Sequence, residues 1–421
     1  MFLGLDIGTT TVSAVVVNAE NKVVDSITIA HNGFLPMEQP WQREQDPRKL
    51  LSAAENAVNT LKEKYAITGM GLTGQQHGIV YLDKNGEPVS PLYIWQDARG
   101  SQERENGETY VQYLSRFSCS PLAAGYGLAT HFYNMEHGLV PETAVKFCTI
   151  HDLAAMRYAG LTAPVTEPTD AQSLGFYDLE KGDFDKETLK QLGVDITMLP
   201  EVRTKAHLGN QVAVAIGDNQ ASFLGTTEGK TDCALVNIGT GSQISIWTDT
   251  RKDIPGLEVR PFPYGGYLLV GASLCGGRAY AILENFFRTF TGSDSCYARM
   301  AEILDATDTL EDTPTVKTTF AGTRLDPTIT GSILGITEDN FTPAHMISGF
   351  LHGIAGELAE LYHACGESRP LVGSGNGLRK NSHLCRAVEQ EFRSTLTLSS
   401  CQEEAAVGAA LYARTILKGG N

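Results

Sequence analysis

Continuous and alternating apolar runs over residues 1–7, 11–17 and 22–29 predict three successive strands at the start of the chain. A different spacing follows. Leu50, Leu51, Ala54, Ala57, Val58 and Leu61 recur at helical intervals across residues 47–65, and Pro47 stands where the first turn of a helix tolerates proline. Strands are predicted again over 67–72 and 79–82, the second closed by Asn85-Gly86, a dipeptide suited to a hairpin turn. Half a chain later the logic repeats, with strands over 211–216, 233–238, 243–247 and 267–272. Helical spacing governs 278–290 and 344–363. A buried strand over 370–372 runs into the glycine-rich turn 373–377, and a small-residue helix occupies 403–417.

The repetition reaches individual residues. Leu5-Asp6-Ile7-Gly8-Thr9-Thr10-Thr11 and Val236-Asn237-Ile238-Gly239-Thr240-Gly241-Ser242 both end an apolar strand in a carboxylate or amide. Both then turn through glycine and hydroxyl residues and resume as a strand. Such a tip leaves backbone N–H groups and hydroxyls free in a concavity that suits phosphate oxygens. One such turn is a weak signal, because Gly-Thr turns are common; two of them predict a nucleotide enzyme in two related halves. Asp6 adds a carboxylate able to hold Mg²⁺ directly or through water.

Composition narrows the class. A chain of 421 residues is long for one core, and two domains are expected. The boundary falls by the repeat near residue 222, giving domains 1–222 and 223–421. The net charge of −16 argues against a nucleic-acid partner. Neither a signal peptide nor a bilayer-length apolar run is evident in the sequence, so a cytoplasmic protein is expected. Its eight cysteines form no C-x-x-C pair and read as reduced, core-filling thiols.

Four further clusters carry candidate chemistry. Ile216-Gly217-Asp218-Asn219-Gln220 puts a carboxylate directly after an apolar strand, where it can accept a hydroxyl proton, cap a helix, or do both. Gly74-Gln75-Gln76-His77-Gly78 and Trp95-Gln96-Asp97-Ala98-Arg99 group amides, an imidazole and a carboxylate as a polyhydroxylated ligand requires. The turn 373–377 fits either tight packing or close approach to a nucleotide, and lacks dinucleotide spacing. Residues 225–231 mimic a P-loop but have one residue too few between the glycines; they read as a turn.

In order along the chain, these motifs resemble the FGGY family of carbohydrate kinases. The resemblance implies an α/β fold of two actin-like (ribonuclease H-like) ATPase domains flanking a cleft, a sugar-binding N-terminal domain and a nucleotide-binding C-terminal one. By motif, it implies Asp218 as general base and Asp6 as the Mg²⁺-associated carboxylate. Gln76, His77, Asp97 and Asn219 would line the sugar site. Thr9, Thr10, Thr240 and Gly276 would meet the phosphates of ATP, and Gly375 and Asn376 the adenosine. Residues 149–152, 262–264 and 272–277 resemble the sedoheptulokinase group, with xylulokinases as nearest rival, so a ketose phosphorylated on its terminal primary hydroxyl is implied. The partners are then a sugar and ATP, with neither nucleic acid nor membrane, and with a homodimer left open. Two features depart from the family pattern: Gln76 stands where many of its ketose kinases have Met, and 291–341 is shorter than usual.

Overall fold

The computed structural model describes residues 1–307, 310–323, 326, 328–366 and 368–419. Two compact units divide it. The first comprises Met1–Gly229, Pro261–Gly265 and Cys401–Asn421; the second comprises Lys230–Arg260 and Gly266–Ser400. Within 291–341, expected to be shorter than the family pattern, residues 308, 309, 324, 325 and 327 lie outside the described residues.

Among the described residues, the first unit is built on a six-stranded sheet of β1 (Phe2–Ile7), β2 (Thr11–Val17), β3 (Val23–Ala30), β4 (Gly69–Gly74), β5 (His207–Gly209) and β6 (Val212–Ala213). Their spatial order is β5-β6-β4-β1-β2-β3. β1 pairs antiparallel with β2 and parallel with β4, which is parallel to β6. The burial of the apolar residues of β1 and β2 explains their near-continuous apolar sequence, whereas β3 alternates between partly and fully exposed residues, as an edge strand does. Helix α1 (Pro47–Lys64) buries the predicted face from Leu50 to Leu61, and Asp46 caps it by accepting from the Arg48 amide. A satellite cluster including Tyr81, Tyr93, Phe132, Phe147 and Phe176 anchors the polar segments between β4 and β5.

The second unit repeats the plan with β7 (Ala234–Ile238), β8 (Ser242–Thr248), β9 (Glu258–Pro261), β10 (Tyr267–Ser273), β11 (Leu371–Ser374) and β12 (Leu396–Leu398), in the order β9-β10-β8-β7-β11-β12. In both sheets a central hairpin has an antiparallel neighbour on one side and two parallel strands on the other. The doubled α/β architecture is therefore present. The long helix Pro343–Ala364 supplies much of this unit's core, through Ile347, Phe350, Ile354 and Leu358.

The units differ from a simple cut at residue 222. The first continues to Gly229 and regains the C-terminal helix Glu404–Lys418. Glycines explain why. A Cβ at Gly4 would lie 1.8 Å from the Ala406 carbonyl oxygen, and one at Gly71 1.9 Å from that of Ala409, so this helix rests directly on the backbone of β1 and β4. Gly225 is 1.9 Å, by the same construction, from the carbonyl of Glu404. It is the last but one residue of the helix Asp218–Thr226, so the P-loop mimic begins inside a helix, its first glycine serving helix contact and its turn starting at Thr227.

Candidate active site

Parallel strands bring the first unit's candidate residues to one edge of its sheet. Ile7 pairs with Gly74 at the ends of β1 and β4, and the Gln75 amide donates to the Ile7 carbonyl at 2.9 Å. Ile216, just beyond β6, donates to the Leu72 carbonyl at 3.1 Å. Asp6, Gln75, Gln76 and Asp218 thus leave the sheet at its carboxyl edge, where open α/β sheets bind ligands. Asp218 is the first residue of the helix Asp218–Thr226, whose N-terminal dipole favours an ionised carboxylate.

Behind this edge lies a set of titratable groups. Burial, reinforced by the neighbouring Asp218, pushes the Asp6 carboxyl up to about 7. His151 and Asp170 are fully buried and form an ion pair at 2.9 Å. Burial opposes charge on this imidazole, but Asp170 outweighs it and raises His151 to about 9. Gly74 makes the room: a Cβ there would sit 2.9 Å from His151 Nδ1. Burial likewise raises Asp152, and Glu167 to about 8. Asp218 opposes ionisation of Asp6, and a divalent cation beside these two carboxylates would relieve that opposition. Among the described residues no group of three or more His, Cys, Asp or Glu could enclose a metal. Mg²⁺, which keeps its waters and takes substrate phosphates, needs no such enclosure.

The first hairpin tip is held by side chains from several loops. Trp95 Nε1 donates to Thr9 Oγ1 at 3.1 Å, and Gln45 Nε2 donates to the Thr9 carbonyl at 2.7 Å. Gln75 Nε2 in turn donates to Gln45 Oε1 at 2.9 Å. Thr10, beside it, is exposed. Gln76 is buried and donates to the Thr169 carbonyl at 3.2 Å. His77 holds a left-handed backbone (φ 73°), donates from Nδ1 to the Ser173 carbonyl at 2.8 Å, and stacks on Tyr126. Only the donor role is open to that nitrogen, since a carbonyl cannot donate, so Nδ1 carries a proton. Asn219 Oδ1 is buried and, among the described residues, lacks a hydrogen-bond partner, as a waiting acceptor for a hydroxyl would.

Asp97 is placed otherwise. Its carboxylate is fully buried and accepts from the amides of Arg43 and Arg99 and from the Arg99 guanidinium, at 2.7 Å for Nε. That guanidinium also reaches Glu44 at 2.9 Å and lies over the Tyr93 ring. Asp97 therefore secures the Trp95–Arg99 turn through Arg99, with its own oxygens engaged by protein donors.

In the second unit three glycine segments meet at the other tip. Gly277 donates to the Gly239 carbonyl at 3.0 Å and Arg278 to that of Thr240 at 2.9 Å, which seats the start of the helix Gly276–Thr291 against the hairpin. A Cβ at Gly276 would lie 2.4 Å from the Gly241 carbonyl carbon. Gly375 has φ +88° and its Cβ would meet the Ile238 carbonyl at 2.5 Å. Thr240, Gly276, Gly375 and Asn376 are thereby gathered in one backbone-lined cradle, beside a helix start suited to phosphate. Ser242 Oγ is buried there without a partner among the described residues. A cavity of about 1180 Å³ opens elsewhere in this unit, beside Thr318, His352, Glu357 and Glu391. There His352 and Glu391 pair at 2.7 Å, and Glu357 accepts from the hydroxyls of Ser273 and Thr318.

Sequence reasoning passed over Gln45, Glu167, Thr169 and Asp170. The available signal was Glu167-Pro168, an acidic cap followed by a first-turn proline, which starts the helix Pro168–Leu174 beneath the site.

The chain is 29% identical to human sedoheptulokinase over 97% of this chain and 96% of that protein. It is 24% identical to a xylulose kinase of Staphylococcus xylosus, over 98% and 90% respectively. In fold it is similar to the crystal structure of xylulose kinase from Rhodospirillum rubrum, with a TM-score of 0.87, 20% identity and coverage of 100% of this chain and 90% of that one. The N-terminal domain model of the FGGY family of carbohydrate kinases matches residues 1–228, which carry the carboxyl-edge cluster of Asp6 and Asp218, and the chain belongs to that family.

Proposed function

We propose that this carbohydrate kinase transfers the γ-phosphate of ATP to the terminal primary hydroxyl of a ketose, with sedoheptulose as the acceptor. The observation that carries the reading is the convergence of Asp6, Gln76 and Asp218 at the carboxyl edge of the first sheet. Sedoheptulose is favoured by the near full-length likeness to sedoheptulokinase; the likeness to xylulose kinases makes xylulose the second candidate.

Phosphoryl transfer asks a protein chiefly for positioning and for stabilisation of charge. In this reading Gln76, His77 and Asn219 hold the sugar in the first unit, and Asp97 keeps the adjoining turn in shape. Asp218, at a helix start, accepts the hydroxyl proton. Thr9 and Thr10 on one tip, and Thr240 and Gly276 on the other, donate to phosphate oxygens. Gly375 and Asn376 face the adenosine. Mg²⁺, associated with Asp6, supplies neutralising charge on the phosphates when bound.

The test is ADP release with Mg-ATP across sedoheptulose, xylulose, ribulose, fructose and glycerol, for the wild type and Asp218→Asn. We expect the highest kcat/KM with sedoheptulose and a loss of about 10²–10⁴-fold in kcat on Asp218→Asn. Preference for a five-carbon ketose removes the substrate assignment, and a fully active Asp218→Asn enzyme removes the base.

A further inference from the structure

A general base must present its carboxylate in one direction, and a residue that opens a helix depends for this on the peptide before it. The Gly217 amide donates to Thr169 Oγ1 at 2.9 Å, across 48 residues of sequence. The Thr169 hydroxyl donates in turn to Glu167 Oε2 at 2.7 Å, and the Thr169 amide donates to that same oxygen at 2.8 Å. Glu167 and Thr169 are both 2% exposed, so these bonds are made away from competing water. With its proton committed to Glu167, the hydroxyl turns a lone pair to Gly217.

The opposite side of the same peptide is equally confined. A Cβ at Gly217 would lie 1.9 Å from Gln76 Nε2, so any larger residue would have to displace Gln76, and that nitrogen donates to the Thr169 carbonyl. Residue 217 is clasped between the hydroxyl of Thr169 and the amide of Gln76. The helix Pro168–Leu174 does not require this hydroxyl for its own capping, since Glu167 already serves the Thr169 amide. The bond to Gly217 serves the other helix.

We propose that Thr169 is a positioning residue for phosphoryl transfer: its hydroxyl, aimed by Glu167, fixes the Gly217 peptide and so the direction of the Asp218 carboxylate. The inference rests on Asp218 being the general base. Since a displacement of about 1 Å at a reacting group can cost about 10²-fold, the bond matters for rate more than for sugar affinity.

The experiment compares Thr169→Val, which removes the hydroxyl at similar volume, with Thr169→Ser, which keeps it. Each is placed in the wild-type and in the Asp218→Asn enzyme. We expect Thr169→Val to lower kcat by about 10- to 100-fold with KM for the ketose changed less than about threefold. Thr169→Ser should recover kcat to within about threefold of wild type. In the Asp218→Asn enzyme the valine substitution should cost less than about threefold, because the group it aims is gone. Equal losses in both backgrounds, or a Thr169→Val enzyme as fast as wild type, would overturn the proposal. If the valine protein fails to fold, Thr169→Cys, with its weaker thiol donor, carries the same comparison. Wild-type turnover by Asp218→Asn alone would instead remove the base assignment, a result independent of Thr169.

Discussion

The two hairpin tips share a backbone and differ in the residue that closes the strand. In the first unit Asp6 lies opposite Ser13 and Thr73, among Asp218, His151 and Asp170. In the second, Asn237 takes the same register place opposite Gln243 and Ser374, and its Nδ2 donates to Ser374 Oγ at 2.7 Å. At the strand end one tip carries a carboxylate with Asp218 and an imidazole nearby, whereas the other carries a neutral amide among hydroxyls and glycine, with Glu357 one step behind, accepting from Ser273 Oγ at 2.8 Å. The difference shows what each half can supply. Under the proposed function backbone donors would hold phosphate at either tip, and a carboxylate there would be useful only where a cation or a proton must be handled. In that reading a further carboxylate at the strand end of the second tip would repel the nucleotide phosphates.

Substitutions that make the halves more alike test this. Asp6→Asn gives the first tip the residue of the second. We expect kcat to fall by about 10²–10³-fold, the scale for removing a charge that stabilises a transition state, while the KM for ketose stays within about threefold. A loss seen only in ketose KM would assign Asp6 to sugar binding instead. Gly276→Ala attacks the other tip, where the new Cβ meets backbone that has nowhere to go. The KM for ATP should rise at least about tenfold, with ketose KM nearly unchanged, as read from initial rates at saturating ketose; an unaltered ATP KM would place the nucleotide elsewhere.

Asn237→Asp gives the second tip a carboxylate. Its effect should be smaller, a rise of up to about tenfold in ATP KM, because it adds like charge to a neutral cradle without removing a catalytic group. Improved ATP binding would break the comparison. The smallest effect concerns Glu167, a carboxyl that burial raises from 4.5 to about 8. A raised folded-state value means stability that is present below pH 4.5 and lost as pH climbs through 8. Glu167→Gln removes this titration, so its apparent Tm relative to wild type should rise by a few °C between pH 5 and pH 9. A difference that is flat or falls with pH would deny the buried charge.

Much of the architecture was legible because it is local. The helical spacing from Leu50 to Leu61 and the apolar runs flanking Asp6 and Asn237 each specify an element through their own neighbours, and the elements formed as read. The doubled tip was visible for the same reason. Asp97 shows the limit. Its cluster reads as a ligand site, yet Arg99, two residues on, folds back and occupies its oxygens. A short sequence cannot say whether a polar group faces a ligand or its own neighbour, because that depends on which surface closes over it. In the P-loop mimic the turn forms over residues 227–229 as read, but Gly225 closes the preceding helix and serves as a contact point for a helix far along the chain.

By itself, then, the sequence determined the paired hairpins, the candidate base after its strand and the glycine segments, since each follows from spacing within a few residues. Only the tertiary structure decided that the C-terminal helix rests on the first sheet, that Asp97 is spent on Arg99, and that Glu167 and Thr169 stand behind Asp218. These are contacts across tens to hundreds of residues. They follow from how closely two backbones approach and which buried polar groups must satisfy one another, quantities that no local pattern encodes.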